Sequence, residues 1–153
     1  MTSIDPCPRR DIGNYSDEII CHRVEELPDT AVFTSLSAND ILFIDSSHEV
    51  KTGNDVVWLM LSVLPLLQRG VLIHFHDIFL PYEYPEEWVI RHRWAFNEQY
   101  LLQAFLFDNL EFETIWPGHY LEKSMPNFAA HFANWRGWAA RSLWMRKRID
   151  VLA

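Results

Sequence analysis

The chain of 153 residues is long enough for one domain with a real core and too short for two comfortable ones. With 49% apolar and 14% aromatic residues it belongs with globular chains, and its formal charge of −8 provides no overall positive field to draw nucleic acid. Cys7 and Cys21 form no Cys-x-x-Cys pair, so neither a disulfide framework nor a zinc knuckle is indicated. No basic-then-apolar leader and no uncharged apolar run of about 18 residues stands out. The expectation is a cytoplasmic protein with no membrane span.

In chain order, Thr2-Ser3-Ile4 is short and β-prone and is stopped by Asp5-Pro6. Residues 11–27 place Ile12, Tyr15, Ile19, Ile20 and Val24 at roughly helical spacing, which predicts a helix ended by Pro28. Residues 29–39 read as a loop with an extended piece at Val32-Phe33. Residues 41–45, ILFID, form an apolar run without alternation, the pattern of a strand buried on both faces of a parallel sheet. Residues 54–68 suit a buried helix, with Asn54 as N-cap, Asp55 in the first turn and Pro65 near the end. Gly70 suits the reversal into a second buried strand, VLIHF, at 71–75. Strand, helix and strand joined by short links make a βαβ unit. Further on, residues 86–91 and 96–107 are expected to be helical and 112–116 to be a strand. Residues 127–148 are expected to form a helix with Phe128, Phe132, Trp135, Ala139 and Leu143 on one face.

Both strands of the unit end in polar clusters. The first gives Asp45-Ser46-Ser47-His48, the second His74-Phe75-His76-Asp77. In open α/β sheets ligands sit outside the carboxyl ends of the strands. If the two strands are neighbours, Asp45 and Asp77 emerge at one edge, and two carboxylates with an imidazole suit a divalent cation. His48, near neutrality in its ordinary titration, suits a general base. His74 and His76 share a strand face, with His74 the deeper and the better candidate for a core histidine. Each acid also has the plainer reading of a loop cap. Asn97 and Glu98 are either a polar first helical turn or contacts reaching the site. Residues 81–88, PYEYPEEW, are either a wall beside the site or an ordered surface loop. Trp135, Trp138 and Trp144, interleaved with arginines, fit a helix packed on the sheet, a self-association face, or a membrane surface or partner groove.

The blocks TSIDPCPR, DILFIDSSHEVKTGNDV, LPLLQRGVLIHFHDIFLPYEYPEEWV and NEQYLLQAFL together resemble the later part of a class I S-adenosylmethionine-dependent methyltransferase. The nearest group is the small methyltransferase domains related to macrocin-type sugar O-methyltransferases and cephalosporin hydroxylases, over roughly residues 2–117. The resemblance implies a Rossmann-like α/β fold with a mostly parallel sheet and flanking helices. It implies Asp5 and Asp45 on the cofactor side, with Asp5 at the ribose hydroxyls. It implies Asp45, Asp77 and His76 around a metal, expected to be magnesium, and His48 as base. The implied reaction is metal-assisted methyl transfer to a hydroxyl of a sugar or other small metabolite. One departure is large: the five glycines, at 13, 53, 70, 118 and 137, include no Gly-x-Gly. The expectation is therefore a domain lacking the first strand and its glycine-rich turn, and hence weak or inactive as it stands. The organisation expected is a partial methyltransferase-like unit over residues 1–120 and a helical extension over 121–153. Two other functions stay open: a metal-dependent hydrolase using His74, His76 and Asp77, or a non-catalytic module that self-associates through an exposed sheet edge or its C-terminal helix.

Overall fold

A computed structural model describes residues 1–137 and 139–149. Trp138 of the tryptophan-rich segment lies outside the described residues.

The α/β expectation holds, with two sheets. Strands β1 (Thr2–Ile4) and β2 (Glu18–Ile20) pair in parallel. The second sheet has the order β3-β4-β6-β5, built from β3 (Ile41–Ile44), β4 (Leu72–Phe75), β5 (Phe112–Pro117) and β6 (Leu143–Lys147). β3 and β4 are the expected parallel pair, with Ile44 opposite Phe75, so both chains leave the sheet at the same edge. β6 runs antiparallel to both β4 and β5, which makes this sheet mixed rather than mostly parallel. Among the described residues nothing pairs with the outer edges of β1 or β3.

Between β3 and β4 runs the expected helix, in three pitches: α2 (Asp55–Trp58), a π-helical turn (Leu59–Val63) and a 3-10 turn ending at Leu66. Asn54 caps it, its side-chain oxygen accepting from the Val57 N–H at 3.3 Å. Val56, Met60, Val63, Leu64 and Leu67 of this segment are fully buried with Ile73, Phe75 and Met145 of the sheet and Leu102 of α3 (Glu98–Leu106). Each such side chain contributes about 1.5–3 kcal/mol by leaving water, so this layer fixes where β3 and β4 end. Gly70, at φ +91°, makes the reversal, and a Cβ there would lie 2.6 Å from Ala38.

Four local expectations are corrected. Residues 11–27 are not a helix: a turn, β2 and a 3-10 turn (Val24–Glu26) occupy them, because Ile19 and Ile20 go into a ladder with β1. Val32-Phe33 lies in a short helix, α1 (Ala31–Thr34), with Phe33 buried against Trp58. β3 is buried on one face only, with Ile41 and Phe43 over half exposed, because it is an edge strand whose Phe43 face is open. Residues 127–148 are not a helix. After α4 (Gly118–Ser124), a 3-10 turn (Phe128–His131) brings Phe128 and the following Phe132 onto Trp116, with Trp135 packed on both phenylalanines, and the chain then enters the sheet as β6. There Leu143, Met145 and Lys147 alternate as buried residues, the period of a strand. Lys147 tolerates burial because its ammonium bonds the Glu111 carboxylate at 2.6 Å and the Pro65 carbonyl at 3.2 Å. Among the described residues no helix is long and apolar enough to cross a membrane.

Candidate active site

The parallel register of β3 and β4 carries their following residues to one mouth. The His76 N–H donates to the Ile44 carbonyl at 2.9 Å, which extends the pairing one step beyond the strands. Asp45 and Asp77 then diverge from the ladder on either side of His48. One carboxylate oxygen of Asp45 lies 3.2 Å from His48 Nε2 and 3.7 Å from His76 Nδ1. Asp77 approaches His48 Nε2 at 3.9 Å, His76 Nδ1 at 3.2 Å and the Arg141 guanidinium at 3.3 Å. Asp45, His48, His76 and Asp77 are thus brought together. Asp5 is placed elsewhere, at the end of β1, where its carboxylate accepts from the Cys7 N–H at 2.8 Å in a local turn.

Two of these residues sit in left-handed backbone, His48 at φ +59° and Asp77 at φ +54°. For residues other than glycine this conformation costs free energy and persists where surroundings impose it. The surroundings of His48 are explicit. Its carbonyl accepts from the N–H groups of Asn97 and Glu98 at the start of α3, at 2.9 and 3.2 Å. Its Nδ1 lies 2.9 Å from Glu98 Oε2, and its ring packs on Phe96 with centroids 4.6 Å apart. The preceding Ser47 is tied to Asp55 of α2 through its N–H at 2.7 Å and its hydroxyl at 2.6 Å. Asn97, one of two residues weighed as contacts reaching the site, accepts from the Val50 N–H and so holds the far side of the loop.

Burial alone would lower the pKa of His48, but hydrogen bonds to Asp45 and Glu98 outweigh it and lift the ring to about 9. The same bond with His48 holds Asp45 below the usual carboxylate range. The Asp77 carboxylate raises His76 against the opposing effect of burial. Burial raises Glu98, with the His48 bond pulling the other way.

His74 is the histidine this sheet keeps away from the mouth. Its ring stacks on Phe43 at 4.4 Å and meets the edge of Trp144 at 4.6 Å, and both its nitrogens are buried without a hydrogen bond. Burial lowers its pKa to about 4, assisted by nearby His76. It is a core histidine, held by rings rather than by backbone groups.

Asp45, His48 and Asp77 could hold a cation at the mouth. Ligand atoms of Asp45, His48 and Asp77 all lie within 4.8 Å of one another. Around a magnesium ion with metal–oxygen distances of about 2.1 Å, adjacent ligands are about 3 Å apart and opposite ones about 4.2 Å, with calcium slightly wider. Asp77 Oδ1 and His76 Nδ1 are buried without a hydrogen bond, although each lies within ion-pair distance of a neighbour. Buried polar atoms left in that state are costly, and a cation would satisfy the carboxylate.

Residues 81–88 fold against the start of α3. The Tyr84 hydroxyl accepts from the Gln99 N–H at 3.2 Å, and the Gln99 side chain bonds the Phe79 N–H and the Tyr82 carbonyl. Trp88 meets Trp94 and Phe96 in an aromatic group that continues to His48, and Arg141 lies over the Trp88 ring at 5.4 Å. Arg141 was not foreseen from the sequence. Its link to Asp77 depends on where β6 begins, and a helix had been expected there. An apolar groove lined by Leu80, Pro81, Leu106, Phe107 and Tyr120 contains none of the mouth's side chains.

Residues 1–78 match a family model described as a methyltransferase domain. The chain belongs to this family. It is a class I S-adenosylmethionine-dependent methyltransferase-like domain, and the match runs from β1 through both strand-end clusters to Asp77. No curated protein and no solved structure matches the chain.

Proposed function

We propose that this domain carries the acceptor side of an O-methyl transfer, in which a hydroxyl of a small metabolite or sugar is methylated with help from a divalent cation. The observation that carries the reading is the convergence of Asp45, Asp77 and His48 from two parallel strand ends to within 4.8 Å. Asp45 and Asp77 would hold the ion, with His76 at its rim, and the oxygen-rich donors favour magnesium. When bound, the ion supplies charge that makes an alkoxide cheaper to expose, and the cofactor supplies the methyl group. His48 Nε2 faces the same mouth, 3.2 Å from Asp45; were Asp45 drawn onto the cation, the ring would lose that partner and, once neutral, could take the acceptor's proton. The group of Trp88, Trp94 and Phe96 offers flat surfaces beside His48 on which a ring-shaped acceptor could lie.

Toward S-adenosylmethionine the fit is one-sided. Asp5, at the end of β1, offers a carboxylate suited to ribose hydroxyls. No two glycines lie close together, so this chain supplies no glycine-rich turn for close backbone approach. No step is assigned to its backbone at the methionine end of the cofactor, and methyl transfer by the chain alone is expected to be weak.

Calorimetry with S-adenosylhomocysteine and with Mn²⁺, each on the unmodified chain and on Asp5→Ala and Asp45→Asn/Asp77→Asn, tests the assignment. The expected pattern is cation binding lost only in the double variant and cofactor binding weakened by Asp5→Ala. Cation binding that survives the double variant would overturn the site.

A further inference from the structure

Arg141 stands just before β6, and the main chain that carries it is tied down at successive residues. The Ala140 N–H donates to Glu122 Oε2 at 3.0 Å, and the Ala140 carbonyl lies 3.0 Å from His119 Nδ1. The Arg141 carbonyl accepts from the Ile78 N–H at 2.8 Å, and the Ser142 carbonyl accepts from the Gly118 N–H at 2.8 Å. α4 and the loop after β4 thus hold three consecutive residues in place. The guanidinium at the end of this fixed base is held more loosely. It lies over the Trp88 ring at 5.4 Å and 3.3 Å from Asp77 Oδ1, its side chain is 27% exposed, and among the described residues it makes no hydrogen bond. A guanidinium is a planar fork of N–H donors that matches a carboxylate or a phosphate. Trp88 supports the plane of this one, and its donors remain available to a ligand.

Charge balance at the mouth indicates which ligand. Asp77 is the one counter-charge within ion-pair distance of Arg141 among the described residues. Glu98, the third carboxylate of the neighbourhood, is taken up by His48 and Ser46. A divalent ion held by Asp45 and Asp77 would be matched by those two carboxylates, and Arg141 would then face no anion of its own. A fixed cation partly shielded from water attracts one. We propose that Arg141 is a substrate-binding residue whose guanidinium grips an anionic group, carboxylate or phosphate, on the same small molecule whose hydroxyl is methylated. This deepens the reading given under Proposed function and rests on it: the acceptor is an acidic metabolite, such as an acidic sugar, and not a neutral one. Hydroxyl and anion belong to one molecule because Asp77 touches both the cation site and the guanidinium. An uncharged ring could lie on the neighbouring aromatic surfaces but would leave the fork empty.

The test is an NMR titration of the full chain that follows the Arg141 Nε–H and the Trp88 indole N–H. The probes are D-glucuronate, D-glucose 6-phosphate and uncharged D-glucose, each with and without Mg²⁺. With Mg²⁺ present, a charged ring is expected to shift both signals and to bind about tenfold more tightly than D-glucose, the gain a charge-assisted bond allows. Which charged ring does so separates carboxylate from phosphate. Without Mg²⁺ the preference should shrink, because Asp77 still answers Arg141. Arg141→Met is expected to bring the probes within about twofold of one another, and Arg141→Lys, which keeps the charge and loses the fork, to fall between. Equal binding of all three probes by the unmodified chain in Mg²⁺ would overturn the proposal without any variant, so an Arg141→Met protein that fails to fold does not shield it. A preference that survives Arg141→Met would overturn it as well. If Mg²⁺ leaves the carboxyl signals of Asp45 and Asp77 unmoved while a charged ring still shifts Arg141, the cation-assisted reading falls and the anion subsite stands.

Discussion

His48 and His74 are equally buried, at 7% exposure each, one in the loop after β3 and the other within β4, and their surroundings are opposite. His48 has three carboxylates within 4 Å and a ring lifted to about 9. His74 has rings on either side, no hydrogen bond to either nitrogen and a pKa of about 4. The difference comes from position relative to the strand end. Inside the ladder, side chains from neighbouring strands meet face to face, and the neighbours of His74 are Phe43 and Trp144 by register. Beyond the ladder the backbone is free to turn, and two left-handed residues aim polar groups inward. Burial therefore does not distinguish a histidine at the mouth from a packing one; the identity of its partners does.

The contrast can be broken most forcefully at the acids. Asp45→Asn combined with Asp77→Asn should weaken Mn²⁺ binding by about 1,000-fold, since two charged ligands are removed. His74→Phe should leave it within about twofold, measured by calorimetry. Equal losses in the two proteins would erase the distinction drawn between mouth and core.

Acid and base limbs of stability sharpen the comparison next. His74 titrates at about 4 in the folded chain, below its ordinary 6.5. Its neutral ring is accommodated, so stability is lost as pH falls from 6.5 through 4, by about 3 kcal/mol if the whole shift is expressed. His48 has the reverse sign: it titrates at about 9, so its contribution is full below 6.5 and is lost as pH rises through 9, by a similar amount of about 3 kcal/mol. The groups facing it are Asp45, Asp77 and Glu98. Denaturant unfolding of the cation-free chain should thus show His74→Phe flattening the acid limb and His48→Gln flattening the alkaline one. The same limb flattened by both substitutions would contradict the assignment.

The smallest effect is expected at Asn54. It caps α2 and its amide bonds the Glu49 carbonyl and the Ser47 hydroxyl, so it supports the loop that carries His48 and not the strand that carries His74. Asn54→Ala should cost about 1 kcal/mol by chemical unfolding. Cation affinity should fall a few-fold while the His74 ring resonances stay in place.

Much of this was legible in the sequence where local pattern and tertiary structure agree. The apolar runs at 41–45 and 71–75, with Asn54 and Gly70 marking the helix between them, gave a parallel pair and two acids at one edge. The misreadings came where distant partners decide. Ile19 and Ile20 sit at helical spacing from Ile12, but β1 supplies a ladder that a helix could not use. Phe128, Phe132 and Trp135 do lie together, with Phe128 and Phe132 on Trp116, but in and just after a 3-10 turn rather than along a helix, while the alternation of Leu143, Met145 and Lys147 was masked by the charge of a buried lysine. Glu98 could be weighed as a contact because it opens a helix, but the depth of its burial depends on α3 docking on the loop after β3. Arg141 had no local signal, since its place follows from where β6 enters the sheet.

The most direct test is an anomalous difference map from crystals of the unmodified chain grown with Mn²⁺. The account predicts one peak at about 2.1–2.4 Å from carboxylate oxygens of both Asp45 and Asp77, with Nδ1 of His48 still on Glu98. A map with no peak at this mouth under saturating Mn²⁺, or an ion held by His74 and His76 instead, would contradict it.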